Sequence, residues 1–95
     1  MLLNRKGTQD IVFYGAGELA EIAYLTLQET NIKLLAIVDP EHHSKPFFKL
    51  RIQQTNFLRT VKNKVVLITK IDSDASLLEK IAKHGIDKVN IITFR

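Results

Sequence analysis

The sequence predicts an α/β fold: a three-layer, open parallel sheet of about five strands with helices on both faces. Three observations lead there. Four short runs, "IVFY" at 11–14, "KLLAIVD" at 33–39, "KVVLIT" at 64–69 and "KVNIITF" at 88–94, are rich in β-branched or aromatic residues, and the near-continuous apolar character suits strands buried on both faces. Between them lie stretches whose apolar residues recur at helical spacing, and strands alternating with helices give parallel sheets. The chain has 95 residues, 45% hydrophobic and 25% charged, which is enough for one small core and not for a second domain. Residues 1–95 are therefore expected to form a single domain, excised from a longer protein.

The elements follow in order. The run 11–14 closes on Gly15, and from about Gly17 to Thr30 an amphipathic helix presents Leu19, Ala20, Ile22, Ala23 and Leu27 on one face, with Glu18, Glu21, Gln28 and Glu29 mostly away from it. The second strand, 33–39, ends at Asp39 because Pro40 cannot continue a ladder. Two parallel strands joined by a helix make a right-handed crossover. The stretch "PEHHSKPFFK", 40–49, reads as a loop, "LRIQ" as a short edge strand, and "TNFLRTV" as a short helix capped by Thr55 or Asn56. After the strand 64–69, Ser73 or Asp74 is placed to cap a helix that buries Leu77, Leu78, Ile81 and Ala82. Glu79 and Lys83 stand four apart as an exposed pair, and Gly85 is a left-handed C-cap that lets Ile86 pack back on the helix.

Charge and composition exclude several classes. The net charge of +4 is met by lysines scattered over a solvated surface, and no single element combines clustered Lys/Arg with a reading helix for DNA. No run reaches the roughly 20 apolar residues of a membrane span, and "MLLNRKGTQD" lacks the pattern of a signal peptide. A cytoplasmic location is expected, in agreement with the absence of cysteine.

The stretch that carries function is "YGAGELAE", 14–21. In a dinucleotide-binding turn the first glycine allows a sharp bend out of the strand, the second lets the backbone approach a pyrophosphate, and a third small residue lets helix and strand pack closely. Gly15, Gly17 and Ala20 occupy those places, and Asp39 stands where an acidic residue ends the next strand to bind a ribose hydroxyl. Such a carboxylate favours NAD over NADP, because a 2′-phosphate would face it. Against a ligand stand Glu18 and Glu21, whose charges satisfy the positive helix end unaided and repel an anion. Asp39 before proline is equally well a residue that begins a turn. Thr69 and Lys70 follow the third long strand at its carboxyl end, the rim where open α/β sheets bind ligands. The expected binding set is Gly15, Ala16, Gly17, Glu18, Asp39, Thr69 and Lys70.

Other residues read as structural. His42 and His43 are adjacent, lack a third ligand at metal spacing, and read as solvated loop residues; no metal is expected. His84 falls in a last helical turn, where a protonated imidazole suits the negative end. Phe47 and Phe48 read as cover for a sheet edge, with stacking on a base as the alternative. There is no paired general acid and base, no Ser/His/Asp arrangement and no P-loop lysine, so no residue is expected to be catalytic.

The stretch "IVFYGAGELAEIAYLTLQETNIKLLAIVDPE" resembles the Rossmann-like domain that follows a winged-helix DNA-binding region in a group of bacterial transcription regulators, where "YGAGELAEIAY" recurs almost as written. It is similar, less closely, to the N-terminal nucleotide-sugar-binding domain of sialic-acid and bacillosamine acetyltransferases and to CoA-binding-like Rossmann domains. The resemblance runs more loosely through "FFKLRIQQTNFL", "KVVLIT" and "LLEKIAKHGIDKVNII". It implies the strand order 3-2-1-4-5 with "LRIQ" third, and it carries over Gly15, Gly17 and Asp39 as binding residues. It implies a nucleotide-type ligand without identifying it; the expected role is a sensing domain that binds NAD or a nucleotide sugar, with a homodimer through an outer helix or edge strand expected because a small sensor transmits its state through a two-fold interface. DNA contact would belong to a winged-helix region outside this sequence. The alternatives are the substrate-binding piece of a nucleotide-sugar-modifying enzyme and an interaction domain that binds nothing. Glycine is common in those relatives where this sequence has Lys49.

Overall fold

In the structure, a computed structural model that describes residues 9–70 and 75–94, the first strand lies inside the sheet. Strand β1, Gln9–Tyr14, pairs in parallel with β2, Ile32–Val38, on one side and with β5, Val65–Ile68, on the other. Strand β6, Ile91–Thr93, continues the sheet in parallel beyond β5, giving the order β2-β1-β5-β6.

Alternation along β1 builds two cores. Ile11 and Phe13 face helix α1, Glu18–Leu27, through its buried Ala20, Ala23 and Leu27, and Ile37 and Leu67 join that layer. Val12 and Tyr14 face the opposite layer, where Ile81 of helix α2, Ala75–Ala82, packs with Leu58 and Ile86. Both faces of β1 are thus covered, which is why its central residues are apolar without a break. Helix α1 is shorter than its pattern suggests because Gln28, Glu29 and Thr30 bond the carbonyls three residues back. Thr30 then accepts the N–H of Ile32 on its hydroxyl, turning the chain into β2. Ile22, expected on the buried face, is 55% exposed; the small Ala20 and Ala23 form the close contact with the sheet instead. Among the described residues no helix is long and apolar enough to cross a membrane.

Three parts of the sheet depart from expectation. In β2 the partners of Ile11 and Val12 are Leu34 and Ala36, so Leu35 is an extra, bulged residue and lies exposed. The expected third strand "LRIQ" is divided: β4, Leu50–Arg51, pairs antiparallel with β3, Pro46–Phe47, inside the segment read as a loop. Only Gln53 reaches β2, through one parallel bridge to Val38. The cause lies in the backbone, because Ile52 donates to Lys45 and accepts from Ser44. Those groups cannot also pair with β2. At the far end, residues 88–90 form a 3-10 turn capped by Asp87, and only then does β6 begin.

The two-residue hairpin loop puts Phe48, not Lys49, at a positive φ of 53°. The bulky residue is held there by stacking on Tyr24, with ring centroids 4.2 Å apart, while Phe47 is buried against Phe13 and Tyr24. Gly85, at φ 95°, ends the turn after α2 as expected, and Ile86 is buried behind it. Glu79 pairs with Lys88 rather than Lys83. The helix between 55 and 60 is 3-10, and its N-cap is Gln54 without a side-chain bond. Ser73 and Asp74, the expected caps of α2, lie outside the described residues.

Candidate functional site

The carboxyl ends of β1, β2 and β5 meet at the glycine turn, and backbone and side-chain bonds hold it there. The N–H of Gly15 donates to Val38 O at 2.8 Å, and that of Thr69 donates to Tyr14 O at 2.9 Å. The buried Thr69 hydroxyl donates to Gly15 O at 2.6 Å. With that donor engaged, Thr69 serves the turn first.

The two glycines have different reasons to be glycine. Gly15 sits at φ +116°, and a Cβ there would lie 2.2 Å from Lys70 Cγ and 3.0 Å from Thr69 O. The bend and the crossing of the Lys70 stem both require it. Gly17, at φ −177°, has ordinary extended backbone, and a Cβ built on it would meet nothing within 4 Å. It caps α1 without a side chain, and the Glu18 and Glu21 carboxylates supply negative charge to the first turn.

Asp39 closes the other wall and is 2% exposed. Its Oδ2 accepts the N–H of Ala16 at 2.8 Å and contacts His42 Nδ1 at 3.0 Å, and its Oδ1 accepts the N–H of Glu41 at 2.9 Å. Burial alone would raise this carboxyl, but the Ala16 N–H, the His42 ring and the Glu41 N–H outweigh burial and hold it below its ordinary value. The turn-forming reading of Asp39 is realised. It begins the turn that brings the N–H of His42 to its own carbonyl at 3.1 Å, and it faces the glycine loop.

Between these walls lies an open crevice of about 300 Å³, lined by Ala16, Gly17, Glu18, Leu19, Asp39, Glu41, His42, Thr69 and Lys70. Of the expected residues only Gly15 does not line it, being buried beneath. Lys70 Nζ lies 3.6 Å from Glu41 Oε1. Sequence reasoning missed Glu41 and His42. The signal was present: Asp-Pro at the first two positions of a turn places the fourth residue, here His42, beside the first. His42 is thus a half-exposed loop residue held by a partner, Asp39, whereas His43 is exposed. His84 also differs from expectation. Its Nδ1 accepts from Arg59 Nε at 3.3 Å, and burial, Arg59 and Lys83 push its pKa down, so the neutral ring is favoured. Among the described residues no three His, Asp or Glu side chains cluster to hold a metal.

No protein-family model and no curated protein matches the sequence. Several solved structures are similar in fold, two of them as follows. UDP-D-quinovosamine 4-dehydrogenase from Vibrio fischeri superposes with a TM-score of 0.73 and 18% identity, over 94% of this chain and 80% of that one. The protein RSP, solved in complex with β-NADH, gives a TM-score of 0.67 and 14% identity, over 99% of this chain and 57% of that one. At such identities the likeness is one of architecture, and with the parallel sheet β2-β1-β5-β6 it shows a Rossmann-like α/β fold.

Proposed function

We propose that this chain binds a nucleotide-type ligand, NAD or a nucleotide sugar, in the crevice above its glycine turn. The observation that carries the reading is the contrast between the two glycines. Gly15 is required by its own fold, whereas Gly17 borders the crevice with open space where a side chain would stand. Open α/β sheets bind ligands at the carboxyl ends of their strands, with a pyrophosphate at the first helix N-terminus. The available groups fit the middle of such a ligand. Gly17 and the first turn of α1 would approach the pyrophosphate, Lys70 would add a cation, and the wall of Asp39, Glu41 and His42 would face a ribose.

We read it as a sensing or regulatory domain. We place it in a bacterial transcription regulator whose DNA contact lies in a winged-helix segment outside this sequence, and whose homodimer transmits the ligand state. The resemblance of residues 11–41 supports that context. A second reading, the nucleotide-sugar-binding piece of a biosynthetic enzyme, is favoured by the fold likeness to a UDP-sugar dehydrogenase.

A thermal-shift panel of NAD, NADP, UDP-sugars and CoA tests the proposal. A ligand at 100 times its Kd stabilises the folded state by about 2.7 kcal/mol. A shift with one member that Gly17→Val abolishes supports the crevice. No shift with any member overturns ligand binding and leaves an interaction domain. A shift that survives Gly17→Val places binding elsewhere.

A further inference from the structure

Asp39 follows β2 where a carboxylate would meet a ribose hydroxyl, yet its lone pairs are directed inwards. A carboxylate offers about four lone-pair sites; here Ala16, Glu41 and His42 occupy three, and the residue is 2% exposed. The ring of His42 stands in front. Its side chain is 44% exposed, and it lines both the crevice and an adjoining hollow of about 180 Å³ under the hairpin. An ionised carboxylate only accepts hydrogen bonds, so the Nδ1 that lies 3.0 Å from Oδ2 carries the ring proton. In the neutral imidazole the lone pair is then on Nε2, the nitrogen turned away from Asp39.

We infer that His42 is the residue of the crevice that reads the ribose: Asp39 fixes its tautomer, and Nε2 accepts a hydrogen bond from a ribose hydroxyl of the bound nucleotide. The inference rests on the nucleotide-binding reading above and adds a chemical requirement, a free 2′- or 3′-hydroxyl.

The experiment compares UDP with 2′,3′-dideoxy-UDP, and ADP with its dideoxy analogue, by calorimetric titration of the wild type, His42→Phe and His42→Gln. The wild type should bind the ribonucleotide about five- to tenfold more tightly than the dideoxy form, the loss expected for one neutral hydrogen bond. In His42→Phe both forms should bind with the affinity of the dideoxy form, and His42→Gln, which keeps an acceptor oxygen, should retain part of the preference. Equal ratios in wild type and His42→Phe overturn the role of His42 while leaving nucleotide binding intact. Failure of the wild type to bind any of the four overturns the nucleotide reading itself.

Discussion

Replacing Gly15 by alanine sets a methyl group 2.2 Å from Lys70 Cγ and 3.0 Å from Thr69 O, on a backbone held at φ +116°. A non-glycine residue kept in such a region costs of order 1–3 kcal/mol. The clash adds to this. The Lys70 stem has to leave its path across the turn, and the Thr69 carbonyl sits in a ladder that cannot shift, because the N–H of Thr69 is bonded to Tyr14 and its hydroxyl to Gly15. Together these place the loss at about 2–4 kcal/mol, within the range that a strained backbone and local misfit produce. In a domain of this size each kcal/mol lowers Tm by roughly 4–8 °C, so the variant should melt about 8–32 °C below wild type. Urea denaturation followed by circular dichroism, with the slope compared between variants, measures the same quantity independently. A loss below about 1 kcal/mol would refute the claim that Gly15 is glycine for reasons of its own fold, and with it the contrast on which the site assignment rests.

Four further outcomes are expected. Gly17→Ala should change stability by less than about 0.5 kcal/mol, since a poorer cap and a stiffer unfolded chain oppose each other, but it should weaken any ligand of the crevice in the thermal-shift panel. Asp39→Asn should destabilise by about 1–3 kcal/mol at neutral pH, because an amide group cannot accept from both flanking N–H groups. The native pKa of Asp39 lies below its ordinary 3.8, so its contribution is present above that value and is lost as pH falls through the lower native one. Acid denaturation below about pH 4 should therefore be shallower in Asp39→Asn than in wild type. Thr69→Val, nearly isosteric, removes the hydroxyl donor to Gly15 O and should cost about 1–2 kcal/mol in urea titration. Glu18→Gln should raise the affinity for an anionic ligand by no more than about fivefold, the equivalent of roughly 1 kcal/mol for one exposed charge in water, and added salt should shrink the difference.

Much of the architecture was legible because burial on both faces leaves a plain signature. The runs at 11–14 and 64–69 are largely apolar without alternation and lie inside the sheet as most of β1 and all of β5. What was not legible depends on the partner chosen by each backbone group. "LRIQ" has the residues of a strand, but Ser44 and Lys45 engage the N–H and C=O of Ile52 first, leaving Gln53 as the sole bridge to β2. The exposure of Leu35 follows from a one-residue bulge that no periodicity announces. Ile22 lost the buried face of α1 to Ala20 and Ala23 because the approach of helix to sheet, not hydrophobicity, decides which residues fit beneath it. In the site, residue types and spacing found the crevice but not His42, whose part is set by a turn that folds it back onto a carboxylate three residues earlier.

Counting charges in the sequence makes the glycine turn look hostile to an anion, with Glu18, Glu21, Asp39 and Glu41 all near it. The geometry removes part of that count. Asp39 is engaged by two backbone N–H groups and an imidazole, so its field is met by the turn that it helps to build. Glu41 lies against Lys70, and Glu21 lines the hollow under the hairpin rather than the crevice. That leaves Glu18 as the uncompensated carboxylate on the crevice itself, exposed and open to screening within about 10 Å at moderate salt. The positive end of α1 opposes even this remaining charge. With Glu18, Asp39 and Glu41 against Lys70, the lining keeps a formal charge of −2, so a nucleotide would be recognised by the shape at Gly17 and the hydrogen-bonding face of His42 rather than by charge. Such a site suits a ligand that comes and goes with its concentration.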